Sequence, residues 1–277
     1  MAALGSQLAS VTAGRGSAKT RHLQKRLRVL AVGLGGAIGL IALWQAIIVG
    51  LKVPEYLVPA PSAVWTKGVL ANAGLLAQNA APTAIESVLG FVVGNAFAIV
   101  LAIIFVHNKT LEQTFYPMAV VLRTIPIVAI APILVLMLGQ GYAPKVAIAA
   151  LISFFPTLVN MIRGLGAVDP QMLELMRVLS ASQREVFFKL RIINSLPFLF
   201  AALKIATGAS VIGAIVAEWI GSDVGLGVLV INATSEFRTP LLYATMVVAS
   251  LMALLFFGIV VLLERLIVRW ETAETRT

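Results

Sequence analysis

Four ionisable residues stand inside long apolar runs, and they are the first places to look for chemistry: Glu86, Arg123, Lys204 and Glu218. A charge in such surroundings is costly, so it marks a pathway, a relay or a gate unless it reaches water. A second concentration of polar chemistry is the stretch ELMRVLSASQREVFFKLRIINSLP, from Glu174 to Pro197, which interrupts two of those apolar runs. Other chemistries are excluded. There is no cysteine, hence no disulfide, zinc–thiolate site, iron–sulfur cluster or thiol nucleophile. GRGSAKT, Gly14 to Thr20, lacks the glycine before lysine that a phosphate loop needs, and no strand precedes it. It reads as a basic tail. The two histidines, His22 and His107, form no HExxH pair, and no nucleophile elbow is present. This chain carries no engine of its own and no cofactor or metal site is expected in it.

The elements that must position these residues follow from composition. Of 277 residues, 60% are hydrophobic and only 12% charged, against about 25% charged in soluble domains. The chain reads as an all-α integral membrane protein. A crossing helix needs about 20 mainly apolar residues, and six segments qualify: Val29–Leu51, Thr83–Val106, Pro117–Leu138, Lys145–Ile162, Leu196–Ile220 and Leu241–Leu263. Pro126 and Pro132 interrupt the third span and Pro156 the fourth. Such breaks need neighbouring helices or a cavity to satisfy the freed backbone, so these two spans belong inside the bundle. The first span is too long for a signal-peptide core and reads as an uncleaved anchor.

Six spans place both ends of the chain on one side. Fifteen of the 21 Lys and Arg residues fall on that side, so both termini and the Glu174–Pro197 stretch are expected to be cytoplasmic. The formal charge of +9 therefore belongs to membrane flanks and lipid contact, not to nucleic-acid binding. The expected organisation is a disordered basic tail (1–28), a membrane domain (29–265) with a cytoplasmic insert at 163–195, and a cytoplasmic tail (266–277). In the outer loop, Pro54, Pro59 and Pro61 favour extended chain, and Ser62 is placed to cap a short interfacial helix carrying Trp65.

Depth then sorts the four charges. Arg123 is six residues into its span, about 9 Å along a helix; it either snorkels to the cytoplasmic interface or serves a gate or pathway. Lys204 has the same two readings. Glu86, near an outer end, reads as solvated. Glu218 is an outer gate, a structural hydrogen-bond partner or an interface residue. No acidic residue sits mid-span as a proton or sodium relay requires, which weighs against an ion-coupled carrier. Gly35-x-x-x-Gly39 and Gly90-x-x-x-Gly94 match the small-residue packing pattern, expected to act within the chain.

The insert reads as two amphipathic helices. Asp169-Pro170 starts the first, Asp as N-cap and Pro at the first helical position. Leu173, Met176 and Leu179 form its ridge, with Met172 and Leu175 beside them. Ser180-Ala181-Ser182 breaks the run, and Ser182 to Glu185 forms a capping box for the second helix. Val186, Phe187, Leu190 and Ile193 share a face there, and Pro197 marks the entry to the next span. Both helices lying on the membrane is one reading, which the second helix fits and the first does not; an apolar ridge seated in a partner's groove is the other, and the pattern alone leaves both open.

At this point the residues resemble a known family. Glu174, the small turn residues at 180–182 and a proline opening the next span look like the EAA loop of binding-protein-dependent ABC transporter permeases. VPEYLVPAPSAVW, LRTIPIVAIAPILVLMLG, FFPTLVNMIRGLGAVDPQMLELMRVLSAS and VAEWIGSDVGLGVLV look like the nitrate/sulfonate/taurine-type permease subunits, and ELMR like those assigned to thiamine-pyrimidine precursors or riboflavin. The resemblance spans Val53 to Ile231. It implies a type I importer permease fold in a bacterial-type inner membrane. It also implies a second permease copy, two cytoplasmic ATPase subunits holding ATP and Mg, and an external substrate-binding protein. Glu174, Arg177, Ser180, Ser182, Arg184 and Phe187 would contact the ATPase; Arg123, Pro126, Lys204 and Glu218 would serve the pathway. The solute would be a pyrimidine or flavin precursor, or else a sulfonate, nitrate or taurine. The chain departs from the family pattern at Leu175-Met176 in place of Ala-Ala, at Ser180 in place of Gly, and at Ile192-Ile193 in place of Leu-Pro.

Overall fold

The computed structural model describes Arg28 and residues 31–268. The basic-tail reading, the GRGSAKT stretch, His22 and the C-terminal tail from residue 269 lie outside the described residues. Those described are helical, with turns and no strand. Helix α1 spans Ala31–Gly50. Residues 51–60 lead into α2, Pro61–Ala63, which continues as a π-helical stretch, Val64–Leu70. Proline at the first helical position starts it, and Ala60, not Ser62, is its N-cap. Helices α3, Ala73–His107, and α4, Lys109–Thr124, follow. Then come α5, Ile127–Leu138, and α6, Tyr142–Gly166. The insert holds α7, Pro170–Val178, and α8, Gln183–Glu185. A second π-helical stretch, Val186–Arg191, joins α8 to α9, Ile192–Gly221. Helices α10, Leu226–Ser235, and α11, Thr239–Ile267, close the chain.

Among the described residues, five helices are long and apolar enough to cross a membrane: α1, α3, α6, the continuous 183–221 helix and α11. The third expected span is instead two helices. Pro126 opens α5 with extended backbone (φ −59°, ψ 123°), because proline has no N–H to continue α4 and excludes helical geometry for the residue before it. Pro197 does not mark a boundary: it lies inside α9, so the second insert helix runs without a stop into its span.

The centre of the bundle is α3, α6 and α9 packed on one another. Small residues make the approach possible. A side chain at Gly90 would strike Ala149, one at Gly94 the Ala150 carbonyl, and one at Gly213 the Ala149 backbone at 2.8 Å. The Gly90/Gly94 pattern therefore serves packing within the chain, as expected. Gly35 and Gly39 meet nothing within 4 Å; that pair packs against no other part of the described chain. Helix α1 joins the rest through Trp44, whose ring lies 5.9 Å from that of Tyr243, and Gln45, which accepts from the Ser62 amide at 3.1 Å.

Candidate functional site

The insert is built by capping. Asp169 Oδ1 accepts from the Gln171 amide at 2.8 Å and starts α7. At the other end the Ser180 amide donates to Arg177 O and the Ala181 amide to Met176 O, both at 2.9 Å. This is a Schellman ending, which needs a left-handed residue at its corner. Ser180 is that residue, with φ 52°. The turn expected of glycine is thus kept by serine, at a conformational cost of about 1 kcal/mol. Ser182 and Glu185 then close the capping box, the Ser182 amide donating to Glu185 Oε2 at 3.0 Å.

The second half of the insert is anchored to the bundle. Phe187 is buried against Phe105, Leu158, Met161 and Leu165, and the His107 ring lies 4.8 Å from it. Arg191 donates to Leu165 O at 2.8 Å and Asn194 to Ala167 O at 2.7 Å. Phe187 therefore faces the core, where the resemblance had it facing a partner; its neighbour Phe188 is exposed. Glu174, Arg177, Ser180, Ser182 and Arg184 are all exposed. Leu173 and Met176 are half-buried, so the outward ridge of α7 is Met172, Leu175, Val178 and Leu179, with Val178 at 81% exposure. Val178 and Phe188 were missed from sequence. The i, i+3, i+6 spacing of Met172, Leu175 and Val178 was the available signal, but helical spacing alone does not say which of two ridges faces out.

At the opposite end of α6 lies a buried polar cluster. Lys145 Nζ donates to Glu86 Oε1 at 2.9 Å and to Ser222 Oγ at 2.7 Å. Thr83 Oγ1 donates to Glu218 Oε1 at 2.5 Å and accepts from the Leu226 amide at 2.9 Å. Glu218 Oε2 accepts from the Gly227 amide at 2.5 Å. Glu86 and Glu218 are 0% and 1% exposed. Glu86 is therefore not solvated; the Lys145 ammonium compensates it where water cannot. Glu218 is a structural hydrogen-bond acceptor, one of its three sequence readings. It explains the glycines of the SDVGLG stretch: a side chain at Gly225, where φ is +133°, would fall on its carboxyl group. The cluster ties α3, α6 and α9 to the 222–225 turn and α10.

Arg123, exposed near the end of α4, borders an open groove of about 430 Å³ along α5, α6 and α9, together with Ile125, Ile130, Ile152, Asn160 and Ile205. Pro126 is not on its wall, but the break it makes sets Ile125 and Ile127 there. Lys204 is elsewhere: its Nζ meets both carboxylate oxygens of Glu264 at 2.8 and 2.9 Å, tying α9 to α11. Of the four pathway candidates only Arg123 reaches the groove. Among the described residues no group of histidines and acids could hold a metal.

A bundle of apolar helices of membrane-crossing length, with a capped insert that carries an exposed apolar ridge, is the architecture of a multi-pass membrane protein. Residues 94–272 match the family described as "Binding-protein-dependent transport system inner membrane component"; the chain belongs to that family and is the permease component of an ABC importer, not an enzyme. It is 31% identical over 219 residues to the formylaminopyrimidine transport permease protein of Halalkalibacterium halodurans, covering 79% of this chain and 88% of that one. It is 31% identical over 261 residues to the riboflavin transport system permease protein of Chloroflexus aurantiacus, covering 94% and 97%. Among solved structures, a chain of the inward-facing MetNI methionine ABC transporter superposes with a TM-score of 0.55 at 18% identity, covering 74% of this chain and 96% of that one. That likeness supports the fold.

Proposed function

We propose that this chain works as one of two permease copies in a bacterial inner membrane, driven by two cytoplasmic ATPase subunits that hold ATP and Mg, and fed by an external binding protein. Helix α7 is the handle. Its exposed ridge of Met172, Leu175, Val178 and Leu179, rimmed by Glu174, Arg177 and Arg184, seats in a groove of the ATPase. This unpartnered apolar ridge carries the reading, since such a row on a short capped helix is costly in water and matches helix-in-groove docking. Ser180 and Ser182 set its angle from the turn. Phe187 and Arg191 pass its displacement to α6 and α9, which line the Arg123 groove, so that the path opens outward and then inward.

The solute is a small molecule. Relatives named for formylaminopyrimidine and riboflavin favour a pyrimidine or flavin precursor, with a sulfonate, nitrate or taurine as the alternative. The test is Glu174→Arg in the co-expressed complex. Loss of ATPase co-purification and of uptake is expected, whereas retention of both removes α7 as the coupling element.

A further inference from the structure

Helix α5 differs from its neighbours in how it is held. Side-chain hydrogen bonds and ion pairs tie α3 to α6 through Lys145 with Glu86 and Thr157 with Asn95. They tie α3 to α10 through Thr83 and the Leu226 amide, and α9 to α11 through Lys204 and Glu264. Every side chain from Ile127 to Leu138 is apolar, so α5 can make no such tie. Its hold is a small patch in which Ala131 is buried against Ile148 of α6 and Ala217 of α9. The side away from that patch is bare, with Leu136 at 86% exposure. Apolar contact has no direction and lets a rod tilt, where a buried ion pair resists separation. Both ends of α5 are backbone joints. At its start the chain leaves helical geometry at Pro126. At its end Gly139 and Gly141 have φ of +77° and +115°, and a side chain on either would meet nothing within 4 Å. These glycines therefore serve the backbone and not close packing. Joints of this kind absorb the φ/ψ change of a hinged element. The first joint lies level with the middle of α6, because Ile125 and Ile127 line the groove with Phe155 and Pro156. A broken helix at that depth is tolerated where it faces water or protein, not lipid.

From this we infer that α5 is a hinged gate. It pivots at the 125–126 and 139–141 joints while α3, α6 and α9 stay together, and Ile127 and Ile130 widen or close the groove as it moves. The moving wall is thus the one helix that carries no polar tie, and the fixed walls are the ones that do. The inference rests on the ATP-driven permease reading of this chain.

The absence of cysteine makes the test direct. A β-carbon at Gly221 would lie 3.3 Å from a methyl carbon of Val135, which sets α5 and the end of α9 within disulfide reach there. Val135→Cys with Gly221→Cys is introduced into the full transporter in proteoliposomes. The rate of copper–phenanthroline crosslinking within the permease chain is compared between nucleotide-free and vanadate-trapped states. Each rate is normalised to the reactivity of the two single-cysteine variants toward N-ethylmaleimide in the same state. A gate that swings out of disulfide reach predicts rates that differ by about tenfold or more between the states. Pro126→Ala, which restores the N–H and lets α4 run on into α5, shrinks that difference; Pro126→Gly, which keeps the joint free, retains it. Equal rates in the two states, no crosslink in either, or a difference untouched by Pro126→Ala overturns the inference; an α5 fixed as a static face against a second permease copy gives the equal rates. The reading beneath it has its own readout. ATP hydrolysis that vanadate fails to arrest in the unsubstituted complex removes the ATP-driven reading and the inference with it, whereas equal rates in a complex that vanadate does arrest overturn the gate alone.

Discussion

Ser180 illustrates how one residue's backbone sets the turn that ends α7. Its left-handed φ of 52° is where glycine loses nothing and an L side chain is strained. Ser180→Gly is expected to stabilise the chain by about 1 kcal/mol, read as a higher thermal midpoint of the purified complex, and Ser180→Val to lower it. The buried charges make a larger prediction. Lys145→Met leaves Glu86 and Glu218 buried with no cation between them, at a cost of about 3–5 kcal/mol. The double variant Lys145→Met with Glu86→Gln should recover much of that loss in detergent unfolding, since it removes the orphaned charge as well. A double variant no better than the single would show that the ion pair is not what holds the outer end. In sequence, Glu86 and Lys145 lie 59 positions apart. The pairing was half legible all the same: both fall at the outer ends of expected spans, so depth alone brings them level. What depth cannot supply is azimuth, and that decided between water and a partner.

At the scale of elements, local rules worked wherever a hydrogen bond closes within a few residues. Asp169 as N-cap, the Ser182–Glu185 capping box and the turn between them were read from sequence and are present. Rules that need a neighbour did not suffice. Pro126 ends a helix while Pro156 and Pro197 remain inside theirs. All three carry the same missing N–H, and only the surroundings determine whether the freed carbonyl is satisfied. The face of α7 turned out for a related reason. Leu173 and Met176 lean toward the chain, and Val178 stands at its most exposed point. Val178→Asp is therefore expected to weaken ATPase association at least about tenfold, by placing a carboxylate in an apolar groove, while Leu173→Ala affects folding more than association. Pull-down of the ATPase at graded concentrations distinguishes them.

Across the whole molecule, α6 is the member that connects the two ends. Its start is held in the Lys145–Glu86–Ser222 cluster and its end by Arg191, Asn194 and the Phe187 cluster. Between them Gly90 and Gly94 of α3 and Gly213 of α9 bring three backbones close enough to move as one body. In the proposed mechanism a push on α7 is passed through the 186–191 stretch, which packs against α6 and α9. The claim at the centre of this account is that the α7 ridge lies against the ATPase. The most direct measurement is site-specific photocrosslinking in the assembled transporter. A benzophenone is attached to cysteine at Val178 or, as the inward control, at Leu173. Capture of the ATPase subunit from position 178 and not from 173 is the predicted result. Capture from neither position in a complex that still hydrolyses ATP, or capture of lipid alone from 178, would contradict it.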